Sequence, residues 1–487
     1  MPHPTHRWLI AILLLSVLLR VGVAFAFGDA ITETRGGTFD QISYDALAQR
    51  VVGGHGFSFA TDWWPGVRAD QPTAFWSYLY TLFLAAIYVI FGHHPLAARL
   101  IQAVLVGLAM PWLTYRLAGR VFSGQGTGDR DQEARDDRNR GFSRFLALPS
   151  RPAKASIPGS MDIRPGPVVG GSGSEVLAAA ISAIYAYFIT YAASLMTEAF
   201  YITAILWILD AALRLAEGFD EWADARRRLR LRIELGLAMG TALLLRQVIS
   251  AFLVVLASWF LALAWRRGWL RQAIPPLLAS ALTLTLLIAP FVVRNYRLFG
   301  VIGMPNTNVG INFFWANHPI YGTQFEAVLS PEHGVSYQEL IPLELRGLND
   351  AQLDRALLAR GVQIVLDDPV RYLLLCLSRI PIYFQFWPTP QSTLLSNAAR
   401  LLSFGVFLPF MVYGIWLVVK AEVKAAACLP STSASALTLI LALIIVYTAV
   451  HLASWANVRY RLPIDAVLLI FAGLALARIG QMVTHRQ

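Results

Sequence analysis

Thr-Phe-Asp-Gln-Ile-Ser-Tyr-Asp-Ala-Leu-Ala-Gln-Arg-Val-Val-Gly-Gly-His-Gly-Phe, residues 38–57, directly follows the first apolar run of the chain. It carries two carboxylates, Asp40 and Asp45, and closes on a Gly-Gly-His-Gly turn. Between them Tyr44, Leu47, Ala48, Val51 and Val52 recur at three- and four-residue steps. That is one stripe of a short amphipathic helix of the kind that lies at a membrane surface. Asp40 stands just before this helix. An acid held beside a helix start at an interface has the makings of a general base. The same acid reads equally as an N-cap or a solvated loop carboxylate, and these residues alone leave the choice open.

The rest of the chain supplies the interface. Of its 487 residues 56% are hydrophobic and 14% charged, with a mean hydropathy of +0.54. Soluble domains carry roughly 25% charged residues, so the composition is that of a polytopic membrane protein. A net charge of +10, mostly arginine, fits positively charged cytoplasmic loops better than nucleic-acid binding. Cys376 and Cys428 stand far apart, with neither metal-ligand spacing nor a disulfide framework. The run 8–27 reads as an uncleaved first span, since no small-residue cleavage site follows it.

Apolar runs long enough to cross a bilayer fall at 8–27, 95–119, 175–195, 197–216, 272–293, 398–420, 433–454 and 461–483. The double-length run 233–265 is split by Arg246-Gln247, which predicts two short spans joined by a tight turn. The positive-inside rule puts Arg116, Arg120, the run from Arg226 to Arg232, Arg266, Arg267, Lys420, Lys424, Arg478 and Arg486 on the cytoplasmic side. That parity requires 74–92 to be a juxtamembrane or re-entrant helix on the outer side. It also lays 371–387 along the membrane, as Arg379 and Pro381 suit. The expectation is an all-α polytopic membrane protein of about ten transmembrane helices with both termini inside. Residues 28–94, the turns at Thr197-Glu198 and Arg246, 294–397 and 455–461 then face outward. A module over 1–300, an outer segment over 301–397 and terminal helices over 398–487 follow. Residues 123–174, rich in Gly, Pro, Ser and Arg, read as a disordered cytoplasmic insertion. Asp129, Asp131 and Glu133 there lack the glycine and the final glutamate of a calcium loop.

The polar residues without an evident structural duty gather on the outer side. Asp40, Asp45, Asp70 and Glu198 are the acids, and Glu198 interrupts an apolar hairpin, a place where an ionisable group is functional or paired. Arg246, Arg294 with Arg297, and Arg459 with Arg461 stand at outer ends of spans, against the positive-inside trend. The guanidinium fork there suits a phosphate, and Tyr460 between two arginines could add a donor. From Asn295 to Pro319, Asn306, Asn308, Asn312 and Asn317 alternate with aromatic residues. This pattern suits sugar hydroxyls and an interfacial aromatic belt alike. His55, His93 and His94 lack metal-ligand spacing. Asp40 and Glu198 could activate an acceptor or share a divalent cation, and the spacing does not say which.

In this order the motifs resemble the GT-C glycosyltransferases that use a polyprenyl-phosphate sugar, in particular the bacterial protein O-mannosyltransferase and aminoarabinose transferase group. The resemblance rests on Asp40-Gln-Ile-Ser-Tyr44 with Gly54-His-Gly56, Gln71-Pro72, Ala98-Arg99-Leu100, Thr197-Glu198, Leu245-Arg246, Arg294-Asn295-Tyr296, Gly310-Ile-Asn312 with Asn317, and Arg459-Tyr460-Arg461. It covers nearly the whole chain except 123–174. It implies a transfer on the outer face of a bacterial inner membrane, from a polyprenyl-phosphate sugar to a lipid, glycan or protein acceptor. Asp40 would be the general base and Glu198 a second acid that assists or holds a metal. Arg246, Arg294, Arg459, Tyr460 and Arg461 would hold the donor phosphate. Tyr44, His55, Asp70, Asn295, Asn312 and Asn317 would bind substrate. Asp70-Gln71 stands where the family often has an acid-lysine pair, and the lysine is absent. No nucleic acid and no obligatory cofactor is expected beyond a divalent cation, if the site takes one. A transporter or flippase of lipid-linked sugar is the alternative, and it would want ionisable groups at mid-span and inverted repeats.

Overall fold

The computed structural model describes residues 4–31, 40–64, 66–123, 173–217, 225–303, 305–390, 392–425 and 432–484. All but the ends of the expected insertion 123–174 lies outside the described residues, as do Cys428 and Arg486. The first part of the chain forms α1 (Pro4–Phe27), α2 (Asp40–Val52), α3 (Tyr78–Phe91), α4 (Pro95–Ser123), α5 (Ser174–Ile184) and α6 (Ala186–Ala193). The middle forms α7 (Glu198–Glu217), α8 (Ala225–Leu245), α9 (Ser250–Arg266), α10 (Leu270–Phe299) and α11 (Val309–Asn317). The last part forms α12 (Asp350–Asp367), α13 (Pro369–Tyr383), α14 (Leu394–Arg400), α15 (Val406–Ala425), α16 (Thr432–Ala453) and α17 (Val458–Thr484).

Eight helical stretches among the described residues are long and apolar enough to cross a membrane: α1, α4, α7, α9, α10, α14 running into α15, α16 and α17. A ninth is formed by α5 and α6, bent by 51°. The 21-residue α8 is about 31 Å long at 1.5 Å per residue, but its arginine-rich first half keeps it out of that count; the bundle is consistent with roughly the ten spans expected. The run 233–265 breaks where its two polar residues stand, since Arg246 leaves the helix at φ −152° and α9 restarts at Ser250. α3 and α13 have 14 and 15 residues, too short to cross. Each is capped from its own sequence: Ser77 accepts from Tyr80 N, and Asp368 accepts from Arg371 N ahead of Pro369.

The most buried span is α17, flanked by α15, α5 and α7. It approaches its neighbours backbone to backbone. A Cβ on Gly414 of α15 would stand 2.0 Å from the Phe471 carbonyl oxygen, and one on Gly473 would stand 2.6 Å from that of Ser174. Small residues at such crossings let helices close on each other where lipid supplies no hydrophobic drive. About 18 Å along α7 from Glu198, fully buried Asp210 draws together Arg116 (3.1 Å) and Arg120 (3.0 Å) of α4 and Arg214 (2.9 Å) of its own helix. A lone buried carboxylate is very costly, so this network fixes how α4 and α7 pack at the basic end of the bundle.

Sequence predicts one continuous span over 175–195, and here the structure differs. Tyr185 takes ψ 111° and divides α5 from α6 without a Gly or Pro at the break. The carbonyls this frees must find donors, because a membrane interior offers no water. Buried Arg20 of α1 donates to the Ser182 and Ala183 oxygens at 3.1 and 2.9 Å. At the other end of α6, where the helix stops at Ala193, Gln102 of α4 donates likewise to the oxygens of Tyr191, Ala192 and Ser194 at 2.8–3.2 Å. Tyr185 itself donates to Asp465 at 2.7 Å. Replacing Arg20 by Leu leaves two buried carbonyls unpaired, each costing about 1–3 kcal/mol. The expected result is a clear fall in thermal stability in detergent. An unchanged melting temperature would show that the break does not depend on Arg20.

Candidate functional site

The segment between α2 and α3 is built on aromatic packing. The stripe expected to lie on a membrane faces protein instead: Tyr44, Leu47 and Ala48 are buried against α3, and Val52 alone is left exposed. Tyr44 packs edge-on against Trp76 and Tyr80, with ring centroids 5.4 and 4.9 Å apart. This packing sets the first residue of α2, Asp40, at the mouth of the bundle.

Four charges from four places in the sequence meet there in alternating order. Arg459, in the first turn of α17, bonds Asp40 through Nη1, and the same nitrogen stands 3.6 Å from Glu198. Glu198, the first residue of α7, also bonds Nη2 of Arg246. Arg246 anchors its Nε on Thr197 Oγ1 at 2.8 Å. Tyr460 sits between the two guanidiniums, 5.0 Å from Arg459 and 5.4 Å from Arg246, and accepts from Arg459 at 3.0 Å. Behind it, His451 stacks on the Tyr460 ring at 4.9 Å and is fixed by the Trp455 carbonyl.

This chain has no net charge, and it is poised between interior and solvent. Glu198 is 3% exposed, and its Oε2 finds no hydrogen-bond partner among the described residues. Asp40 keeps 17% of its side chain exposed, within reach of a second molecule. Both acids also face Tyr44, whose phenol is pushed upward by burial, with Asp40 adding to the effect. Two forks fixed beside two acids can hold an oxyanion by displacing a carboxylate from a guanidinium. No group of three or more metal-ligating side chains gathers among the described residues. A divalent cation shared by Asp40 and Glu198 would require Arg459 to leave both.

Other residues singled out in the sequence lie elsewhere. Arg461 turns into the interior, where it pairs with Asp465 at 2.9 Å and donates to the Tyr383 carbonyl at 2.8 Å. Arg294 reaches the Tyr78 hydroxyl at 2.6 Å and Asn295 Oδ1 at 3.2 Å, between the rings of Phe57 and Tyr78. Asn295 ties the same corner to the Pro305 carbonyl at 2.6 Å. Asp70, at φ 59°, bonds Arg50 and braces the loop. Asp45 is held by Tyr88, His93 and Gln49 at 2.6–2.9 Å. His55 lies exposed in the turn after α2, Asn312 is half-buried in α11, and Asn317 accepts from Arg379 at 2.8 Å. Sequence reasoning did not single out His451, and it named Gln247 as part of the helix break but not as a site residue. The second stands beside Arg246 in the broken apolar run, and that break was the signal for it.

No family model and no curated protein matches the sequence. Among solved structures, the chain is similar to the oligosaccharyltransferase of Archaeoglobus fulgidus in its apo form, at 16% identity and a TM-score of 0.54 over 99% of this chain and 51% of that one. The archaeal oligosaccharyltransferase AglB of the same organism, in complex with an inhibitory peptide and a dolichol-phosphate, aligns at 15% identity and a TM-score of 0.52 over 98% and 51%. ArnT from Cupriavidus metallidurans bound to undecaprenyl phosphate aligns at 12% identity over 98% and 79%, with a TM-score of 0.37 that is too low to build on. The chain thus shares the membrane fold of the oligosaccharyltransferase, and it spans about half that protein's length.

Two acids of α12 clamp the segments around this site. Asp350 accepts from Thr73 Oγ1 and Ala74 N at 2.5 and 3.1 Å. Asp354 accepts from the Gly310 and Ile311 amides at 2.7 and 3.0 Å, at the start of α11. Burial pushes Asp354 up to about 6, against the pull of those two amides. Its folded value therefore lies above the ordinary carboxyl value, near 3.9, and the folded state binds the extra proton between them. Stability from this group is present below about pH 4 and is lost as the pH rises through about 6. Asp354→Asn should flatten that part of the curve of melting temperature against pH, and an unchanged slope would contradict the assignment.

Proposed function

We propose that the protein is a membrane glycosyltransferase that moves a sugar from a polyprenyl-phosphate donor to an acceptor hydroxyl or amine, with inversion at the anomeric carbon. The observation that carries this reading is the alternating chain Asp40–Arg459–Glu198–Arg246 at one end of a GT-C bundle. It joins a partly exposed carboxylate to two forks of the geometry that phosphate takes. Dolichol-phosphate bound by the archaeal oligosaccharyltransferase of the same fold supports a lipid-phosphate ligand. On this reading the site faces the outer side of a bacterial inner membrane, with the basic end of the bundle in the cytoplasm.

The chemistry follows from charge. The donor is a phosphodiester with one negative charge, and its departure leaves a polyprenyl phosphate with two. Arg459 and Arg246 are placed to bind the diester and to stabilise the charge that grows as the bond breaks. Fixed positive groups act most strongly in such a water-poor setting. When Arg459 turns to the phosphate, Asp40 is released and takes the proton of the acceptor O–H or N–H. The acceptor atom bonds the anomeric carbon from the face opposite the phosphate, and the carbon–oxygen electron pair leaves with the phosphate. Glu198 stays between the two arginines and keeps their forks in place. No step calls for a nucleotide.

Asp40→Asn should lower transfer from a polyprenyl-phosphate sugar by about 10²–10⁴, the usual contribution of a general base. Binding of polyprenyl phosphate should not weaken, since Arg459 loses a competing carboxylate, and the melting temperature should fall only modestly because Glu198 still faces Arg459. Full turnover by that variant, measured as release of polyprenyl phosphate, would overturn the assignment.

A further inference from the structure

Next to the four charges, a cluster of buried polar atoms lacks the partners that such atoms require. The segment 306–308 lies along 74–76. Asn306 donates to the Trp76 carbonyl at 2.7 Å, Thr307 N to Ala74 at 2.9 Å, and Asn308 to Phe75 at 2.9 Å. Gln247, the neighbour of Arg246, donates in turn to Asn308 Oδ1. Trp315 reaches the same patch through Trp64, whose ring lies 5.3 Å from Trp315 and 6.2 Å from Trp76. Amide bonds thus fix the Asn306, Asn308 and Gln247 side chains, and ring packing holds Trp76 and Trp315. Yet their remaining polar atoms, Trp76 Nε1, Trp315 Nε1, Thr307 Oγ1, Asn306 Oδ1 and Gln247 Oε1, have no hydrogen-bond partner among the described residues.

Folded proteins pair nearly all their buried polar groups, and each exception asks for an explanation. This one combines two indole donors, two amide acceptors and a hydroxyl that can be either, beside aromatic faces. The set complements a ring that carries several hydroxyls, each of which donates and accepts. It complements neither a bare anion, which only accepts, nor a prenyl chain, which does neither. Resting on the reading given under Proposed function, we infer that Trp76, Gln247, Asn306, Thr307 and Trp315 form the subsite for the sugar ring of the donor, and that their unpaired atoms select its hydroxyl pattern. The ring would lie beside Arg246 with its anomeric carbon toward Asp40.

Thr307→Val removes one unpaired polar atom with little change of shape, whereas Trp76→Phe removes the indole N–H together with part of the ring that Tyr44 packs against; neither residue belongs to the charged chain. Purified wild type and variants would be titrated with polyprenyl phosphate and with a panel of polyprenyl-phosphate hexoses and pentoses, with melting temperature recorded alongside. The inference predicts that one sugar or more of the panel binds wild type at least tenfold more tightly than bare polyprenyl phosphate. Each variant should lose most of that gain and keep its affinity for bare polyprenyl phosphate, and Thr307→Val, which only removes an unpaired hydroxyl, should melt no lower than wild type. A structural role for the cluster predicts the opposite: lower melting, with both ligands affected alike. If polyprenyl phosphate binds and no sugar adds affinity, the subsite is overturned and the phosphate reading stands. If polyprenyl phosphate itself does not bind, the phosphate reading fails and the subsite falls with it.

Discussion

A charge placed in an apolar bundle must meet its counter-charge at a fixed place, and one end of this protein is arranged around that requirement. Glu198 is almost wholly removed from solvent, and Arg246 and Arg459 approach it from two sides. Arg459 in turn ties in Asp40. The first turn of α17, the first residue of α7, the break after α8 and the first residue of α2 are thereby drawn to one point. Removing one partner of such a group strands the others, which makes the chain a strong constraint on relative helix position. It also makes the site switchable, because an incoming oxyanion offers the arginines the same contacts as the acids.

The bundle makes room for this centre through interruptions in its helices. Ser194 to Thr197 separates α6 from α7, Arg246 separates α8 from α9, and the stretch from Ser454 to Asn457 separates α16 from α17. Each interruption frees backbone groups, and named side chains take them up. Gln102 and Arg20 do so around α5 and α6. Arg379 does so at the end of α16, where it donates to the Leu452 carbonyl at 3.0 Å while reaching Asn317 of α11. At the opposite end, Asp210 and its three arginines close the bundle with the same kind of pairing. Buried cations thus have a structural duty at most levels of the protein. The arginines at Asp40 are set apart by the partly exposed acid they share.

Much of this was legible in the sequence. The all-α bundle, the break at Arg246, the short α3 and α13 and the gathering of Asp40, Glu198, Arg246 and Arg459 at one end all follow from charges interrupting apolar runs. Other features turn on facts that a linear pattern does not hold. Arg459 and Arg461 look alike in sequence, but a helix rotates about 100° per residue. Because α17 already begins at Val458, the two arginines point to nearly opposite sides, and only one meets the site. The bend at Tyr185 has no Gly or Pro to announce it, and depends on donors far away in the chain. Asp70 and Asp40 read alike in sequence as acids outside the apolar runs. Only the fold shows one bracing a loop through Arg50 and the other facing Arg459.

The central claim is that Arg246 and Arg459 form the phosphate-binding pair of the reacting centre. It is tested most directly by an electron cryomicroscopy structure of the protein bound to polyprenyl phosphate. The account predicts phosphate density within hydrogen-bond distance of both guanidiniums, with Arg459 withdrawn from Asp40. Density seated at Arg294 or at the basic end of the bundle, with Asp40 still bonded to Arg459, would contradict it.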